Sequence, residues 1–118
     1  MARTTTVRRM ATLITFSVLT LAAAGAAAQT PAAAGKAVFK QDCAMCHNAN
    51  STSSKIGPGL KGLFHRKALA NGKPLTVANV REQIEDGTPN GKPMPMPGFK
   101  DRLNQKQLAE VVAYLRTL

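Results

Sequence analysis

Apolar residues recur at the three- and four-residue spacing of an α-helix in three stretches of the 118-residue chain. The three stripes are Ala34, Val38 and Phe39; Val77, Val80 and Ile84; and Leu108, Val111, Val112, Leu115 and Leu118. After residue 29 the sequence shows no alternating strand pattern of useful length, no internal repeat and no linker. We therefore predict one small all-α domain of three helices, in which the last helix packs against the first.

Polar residues and glycine mark the ends of two of these helices. Thr76 is a suitable N-cap for the second helix, and Gly87 is suited to end it. Asn104 precedes the last helix, and Gln107 follows it at the spacing of a capping box. We expect the first helix to include residues 35–42 and to run into the cysteine-containing segment that follows.

Both cysteines of the chain lie in Cys43-Ala44-Met45-Cys46-His47, a C-x-x-C-H motif that is the attachment signature of haem c. Two thiols one helical turn apart can add to the vinyl groups of one porphyrin, and the adjacent imidazole can then bind the iron. A zinc site would need two more ligands, and His65 is the only other histidine. A dithiol oxidoreductase would need a βαβ pattern that the chain lacks. We predict one haem c attached through Cys43 and Cys46, with His47 as an iron ligand.

The segment from Gly87 to Phe99 contains four prolines and three glycines, so it cannot form a regular helix. Proline restricts φ, and the segment can therefore act as a stiff strap that presents a side chain to the haem. Met94 and Met96 are both candidates, because a thioether is a neutral, soft ligand that suits the haem iron of electron carriers. Both methionines precede a proline and they lie two residues apart, so their spacing does not choose between them.

The first 28 residues have the composition of an export signal. Three arginines precede an apolar run from Ala11 to Leu21, and a tail of small residues ends at Ala28. The alternative is an uncleaved membrane anchor, because residues 10–28 carry no charge, although their second half is mostly alanine and glycine, which insert weakly. We expect a cleaved signal peptide at residues 1–28, a mature domain at residues 29–118, export to the periplasm and no stable membrane insertion.

The chain has a formal net charge of +10. When the three arginines of the first 28 residues are set aside, 13 of the 16 Lys and Arg remain against 6 Asp and Glu, a net charge of about +7. There is no dense basic run, no aromatic interleaving and no recognisable nucleic-acid module, so we expect no nucleic-acid partner. A strongly basic carrier would instead be steered toward redox protein partners with an acidic docking face.

The order of these features resembles the class I cytochrome c family over residues 35–118. The C-x-x-C-H motif matches the family's haem attachment site, and residues 57–64 are similar to its proximal loop. In that family the proline carbonyl of the loop accepts a hydrogen bond from the ligating imidazole, which implies that Pro58 orients His47 and so belongs to the haem site. The resemblance also implies the family's fold, a small cytochrome c-like helical domain wrapped around one covalent haem.

The segment from Met96 to Lys100 is similar to the family's M-P-x-F strap. This likeness implies that Met96, rather than Met94, is the second iron ligand. One departure from the family pattern is Pro95, a rigid residue between the two methionines that could shift the register of the strap.

The family also crosses its first and last helices closely, and the resemblance implies such a contact for Gly35 and Phe39 with Tyr114. A second departure is His65, where the family more often has a small residue. Because basic residues follow it, we expect His65 to be a solvated surface residue rather than an alternative iron ligand.

These inferences predict a monomeric, periplasmic one-electron carrier and not an enzyme. If His47 and Met96 fill both axial positions of the iron, no substrate reaches the metal. An electron-transfer component of a larger oxidoreductase complex would use the same ligands and stays an alternative. A haem enzyme or sensor with an open distal site is a further alternative, for which the sequence offers no convincing distal base or arginine.

Overall fold

The computed structural model describes residues 27–92 and 94–118 of the chain. It contains three α-helices, α1 (Pro31–Asp42), α2 (Val77–Asp86) and α3 (Gln105–Leu115), and a short 3₁₀ helix (Leu63–His65) between α1 and α2. The described residues form no strand, only two isolated β-bridges. The predicted all-α class with three helices is therefore confirmed.

Most of the predicted signal peptide, residues 1–26, lies outside the described part of the chain. Cleavage after Ala28 consequently stays a prediction. In the part that the structure describes, none of the helices has both the length and the apolar character that crossing a membrane requires.

Local hydrogen bonds fix the ends of α2 and α3 where the sequence indicated. The Thr76 hydroxyl accepts a hydrogen bond from the backbone N–H of Asn79 at 3.1 Å, and α2 ends at Gly87, whose φ of +66° favours glycine. Asn104 and Gln107 form the predicted capping box at the start of α3. These short-range contacts depend on residues that are neighbours in the sequence, which is why the pattern predicted them.

The helix α1 begins four residues before Gly35, earlier than its apolar spacing indicated. The Thr30 hydroxyl accepts a hydrogen bond from the backbone N–H of Ala33 at 3.2 Å and so caps the helix. Pro31 occupies the first helical position, where a missing N–H costs nothing.

The helices α1 and α3 cross at close range. A Cβ atom added to Gly35 would lie 1.8 Å from the carbonyl oxygen of Glu110, so only glycine fits at this point of the crossing. Beside it, the rings of Phe39 and Tyr114 pack with their centroids 5.4 Å apart and their planes tilted by 59°. The close crossing that the family resemblance implied is present.

The buried apolar side chains of the three helices and their connecting loops form one core. Its members are Phe39, Leu63, Val80, Ile84, Phe99, Leu103, Leu108, Val111, Val112, Tyr114 and Leu115. Leu118, which the sequence pattern assigned to the last helix, lies beyond the end of α3 because the chain tightens there into bonds between residues three apart. Leu118 still packs on the core, and its carbonyl accepts a hydrogen bond from Gly62 at 3.0 Å.

Candidate haem site

The C-x-x-C-H motif forms a hydrogen-bonded turn directly after α1. The backbone N–H of Cys43 donates to the Phe39 carbonyl at 2.9 Å. The backbone N–H groups of Cys46 and His47 both donate to the Cys43 carbonyl, at 3.1 and 3.0 Å. Both cysteines are free and partly buried. One turn of backbone thus carries the two thiols and the imidazole, which is the arrangement that attachment to one porphyrin needs.

The thiol of Cys43 has an unusual environment. Burial raises its pKa to about 11, the Asp42 carboxylate and Cys46 add to the rise, and Arg102 opposes it. The thiol is therefore neutral at pH 7. A thioether has no proton to lose, so this titration is a property of the chain before haem attachment only.

The His47 imidazole is held by the loop that follows it. Its Nδ1 lies 2.8 Å from the carbonyl oxygen of Pro58. Because a carbonyl can only accept, Nδ1 carries the hydrogen and Nε2 keeps its lone pair for a metal. Gly57 lies against the ring, where an added Cβ would come within 2.4 Å of Cε1. The structure thus brings together His47 and Pro58, the pair that the resemblance implied.

Arg66 fastens the loop that carries Pro58. Its Nη2 donates hydrogen bonds to the carbonyls of Gly59 and Lys61, at 2.7 and 2.8 Å. Gly59 itself is buried against the preceding loop, since an added Cβ would lie 2.3 Å from the Ser51 carbonyl oxygen. The position of Pro58, and through it that of His47, therefore depends on contacts outside the haem motif.

The proline-rich strap is fastened near α2 at Met96. The backbone N–H of Thr88 donates to the Met96 carbonyl at 2.9 Å, and the Met96 N–H donates to the Thr88 hydroxyl at 3.2 Å. The side-chain nitrogen of Gln83 lies 3.6 Å from the Met96 sulfur. Met96 is partly buried against the core, whereas Met94 is 59% exposed. The structure positions both the backbone and the sulfur of Met96.

Two glycines let the strap lie directly on the end of α2. An added Cβ on Gly87 would lie 2.3 Å from the Met96 carbonyl oxygen, and one on Gly98 would lie 2.6 Å from the Glu85 carbonyl oxygen. The backbone N–H of Phe99 donates to the Ile84 carbonyl at 2.9 Å, and the Phe99 ring is buried in the core. These contacts fix the register of the strap on both sides of Pro95.

The polar residues that position the two candidate ligands, Arg66, Gln83 and Thr88, were not predicted from the sequence. Only Gln83 gave a signal, because it follows Val80 by three residues and so borders the buried stripe of α2. His65 was expected to be a surface residue, and it is exposed at the end of the short 3₁₀ helix.

Comparison with known proteins assigns the domain. The family model for cytochrome c matches residues 32–118, and the chain belongs to the cytochrome c family. In a member of this family the C-x-x-C-H cysteines carry the cofactor, so one haem c is attached covalently through Cys43 and Cys46. The donor set observed here fits that group, because it offers two free thiols and an imidazole whose Nε2 is left free by Pro58.

The relatives include small cytochromes and parts of larger proteins. Cytochrome c6 of Synechocystis sp. is 41% identical over 81 residues, covering 69% of this chain and 60% of the relative. Cytochrome c6 of Limnospira maxima is 40% identical over 83 residues, covering 70% and 88%. The Cbb3-type cytochrome c oxidase subunit FixP of Sinorhizobium medicae is 33% identical over 94 residues, covering 76% and 31%. The chain therefore spans less than two thirds of the length of some of the relatives it matches.

Proposed function

We propose that the protein is a periplasmic one-electron carrier whose haem iron is held by His47 and Met96. The observation that carries this proposal is that both side chains are positioned by other parts of the chain, His47 by Pro58 and Met96 by Thr88. Two protein ligands fill both axial positions, so no substrate binds the metal and the protein transfers electrons without making or breaking bonds in a substrate.

When bound, the haem supplies an iron that accepts and releases one electron. The chain's own residues keep the site nearly unchanged between the two charge states, which limits the structural change that accompanies each transfer. Pro58 holds the imidazole in one tautomer and one orientation. The strap holds a neutral thioether, which favours ferrous iron and raises the reduction potential.

The choice of Met96 over Met94 rests on burial and hydrogen bonding. Both backbone polar groups of Met96 are paired with Thr88, and its side chain packs on the core. Met94 exposes 59% of its surface. A ligand whose backbone is already fixed loses less conformational freedom on binding, so Met96 is the better preorganised of the two.

The charge of the surface supports acidic redox partners. All nine lysines of the chain are exposed, and the chain carries 16 Lys and Arg against 6 Asp and Glu. We propose that this excess steers the monomer to an acidic docking face, as expected for a carrier that must meet its partners quickly. The rate of electron exchange with an acidic redox protein should then fall steeply as salt is added, and an increase with salt would contradict this proposal.

A second candidate function is electron transfer within a larger oxidoreductase complex. It is supported by the match to FixP, of which the matched region is 31%, and by the match to one chain of the nicotinate dehydrogenase of Pseudomonas putida, of which it is 7%. The same haem ligands serve both functions. Purification of the native protein decides between them: a monomer at its own mass supports the free carrier, and a stable co-purifying oxidoreductase supports the role within a complex.

Optical spectra of the haem-containing protein test the central proposal. A weak ferric charge-transfer band of sulfur ligation, together with sharp low-spin bands after reduction, is the expected result. A high-spin spectrum with ready binding of carbon monoxide would instead show an open distal site, and the enzyme or sensor alternative would replace the carrier. The cellular location is tested separately, by fractionation and by the N-terminal sequence of the mature protein, which should begin at Gln29.

A further inference from the structure

Three consecutive hydrogen bonds lead from a surface turn to the sulfur of Met96. The backbone N–H of Lys73 donates to Asn71 Oδ1 at 3.0 Å. Asn71 Nδ2 donates to Gln83 Oε1 at 2.7 Å, and Gln83 Nε2 donates to Met96 Sδ at 3.6 Å. The chain of bonds joins the loop before α2, the helix α2 itself and the proline-rich strap.

The first bond determines the direction of the other two. A backbone N–H can only donate, so the oxygen of the Asn71 amide must face Lys73. The Asn71 nitrogen then faces Gln83, whose own oxygen must accept that hydrogen bond. The Gln83 side chain is thereby oriented with its NH₂ group, and not its oxygen, toward the sulfur of Met96. This is an orientation that electron density alone rarely gives for an amide.

The turn that carries Asn71 is itself fixed to the fold. Leu69 N–H donates to the Lys73 carbonyl at 2.9 Å, and Gly72 provides the left-handed position of the turn with a φ of +83°. The Lys73 ammonium group also pairs with Glu82 of α2 at 2.8 Å. The turn therefore contacts α2 at two adjacent residues and presents Asn71 to Gln83 in a fixed position.

We propose that Asn71 is a positioning residue that, through Gln83, holds an N–H donor against the sulfur of Met96 and raises the reduction potential of the haem. The inference rests on the proposed function, because it requires Met96 as the iron ligand. The positive end of the N–H dipole lies toward the ligand and disfavours the additional positive charge of the ferric state. Reversal of the Gln83 amide would place its oxygen there and favour the ferric state.

The substitution Asn71→Asp tests the polarity of the hydrogen-bond chain. Aspartate keeps an oxygen for the Lys73 N–H but replaces the donor to Gln83 by an acceptor, so the Gln83 amide must turn over. At the midpoint potential of the unaltered protein, we expect the ratio of reduced to oxidised Asn71→Asp protein to fall roughly five-fold or more, the order expected for one hydrogen bond. Asn71→Ala, which removes the hydrogen-bond chain without adding charge, should give a smaller fall.

Asn104→Asp is the matched control for charge. Aspartate also serves as an N-cap, so this variant adds the same negative charge at the capping box of α3 and preserves the helix. A second control combines Asn71→Asp with Gln83→Ala, because the added charge then remains but there is no amide to reverse. In the Gln83→Ala background, Asn71→Asp should shift the potential no more than Asn104→Asp does.

The outcomes separate this inference from the proposed function. If the unaltered protein lacks the ferric band of sulfur ligation, Met96 is not the ligand and both are wrong. If that band is present but Asn71→Asp shifts the potential by the same amount with and without Gln83, the His47 and Met96 ligation stands and the hydrogen-bond chain is overturned. If Asn71→Asp does not fold, Asn71→Ala against Gln83→Ala gives the same comparison, since each should lower the potential and their effects should not add.

Discussion

The backbone of Gly35 in α1 lies directly against the carbonyl of Glu110 in α3, where an added Cβ would fall 1.8 Å from the oxygen. This contact sets the distance between the first and last helices, and it allows Phe39 and Tyr114 to pack beside it. The crossing is the largest contact between helices of the domain and lies next to the C-x-x-C-H turn, so it anchors the segment that carries the haem.

Substitution Gly35→Ala should therefore destabilise the protein. Alanine favours helix by up to about 1 kcal/mol. The collision with backbone at the crossing should outweigh that gain and lower the free energy of unfolding by about 1–3 kcal/mol overall. Denaturant unfolding of the haem-containing protein measures this. Lys36→Ala, at the exposed neighbouring position, is the control and should change stability by no more than about 0.5 kcal/mol. A stabilised Gly35→Ala protein would contradict the close crossing.

Gly57→Ala should disturb His47 without straining the backbone. Gly57 is not among the glycines with positive φ, so alanine is acceptable to the main chain, but its Cβ would lie 2.4 Å from the imidazole. We expect a loss of about 1–3 kcal/mol in stability and a changed ferric spectrum as the ring moves away from Pro58. Ser54→Ala, in the same exposed loop, should leave both unchanged. An unaltered spectrum in Gly57→Ala would show that the ring is free to move.

Thr88→Val tests the fastening of the strap. Valine has nearly the shape of threonine but cannot accept the hydrogen bond from the Met96 N–H. Loss of one such bond should make displacement of the methionine easier, so that added imidazole binds the ferric protein about five-fold more tightly. An imidazole titration measures this apparent affinity. Thr52→Val, at an exposed position, is the control, and equal affinities in the two variants would contradict the proposed fastening.

The parts of this fold that the sequence predicted are those set by neighbouring residues. The helices follow from apolar spacing and from caps such as Thr76 with Asn79, and the haem motif lies within one turn of backbone. The contacts that position the ligands join residues farther apart, such as Asn71 with Gln83 and Arg66 with Gly59. Their partners depend on how loops fold back on helices, which periodicity does not encode. The resemblance supplied the Pro58 contact, which the residues alone did not.

The ion pair of Arg102 with Asp42 should matter more than the exposure of the arginine suggests. The Asp42 side chain is 10% exposed and lies 2.9 Å from Arg102, which also stacks over the Phe99 ring at 5.0 Å. Arg102→Ala would leave a mostly buried carboxylate without its partner, so we expect a loss of about 1–3 kcal/mol. Lys106→Ala, which breaks a pair within one exposed helix face, should cost about 0.5 kcal/mol or less. Equal losses in thermal unfolding would contradict the difference in burial.

The pair Met96→Leu and Met94→Leu tests the sixth ligand directly. Leucine nearly conserves the volume of methionine but has no sulfur, so each variant removes one candidate ligand with little change in packing. Because Met96 is partly buried and doubly hydrogen-bonded to Thr88, Met96→Leu should lose the ferric band of sulfur ligation and bind carbon monoxide readily while the haem stays covalently attached. Met94 is 59% exposed, so Met94→Leu should keep the band and the reduction potential of the unaltered protein. The reverse pattern would assign the iron to Met94 and would require the strap to shift by two residues past Thr88.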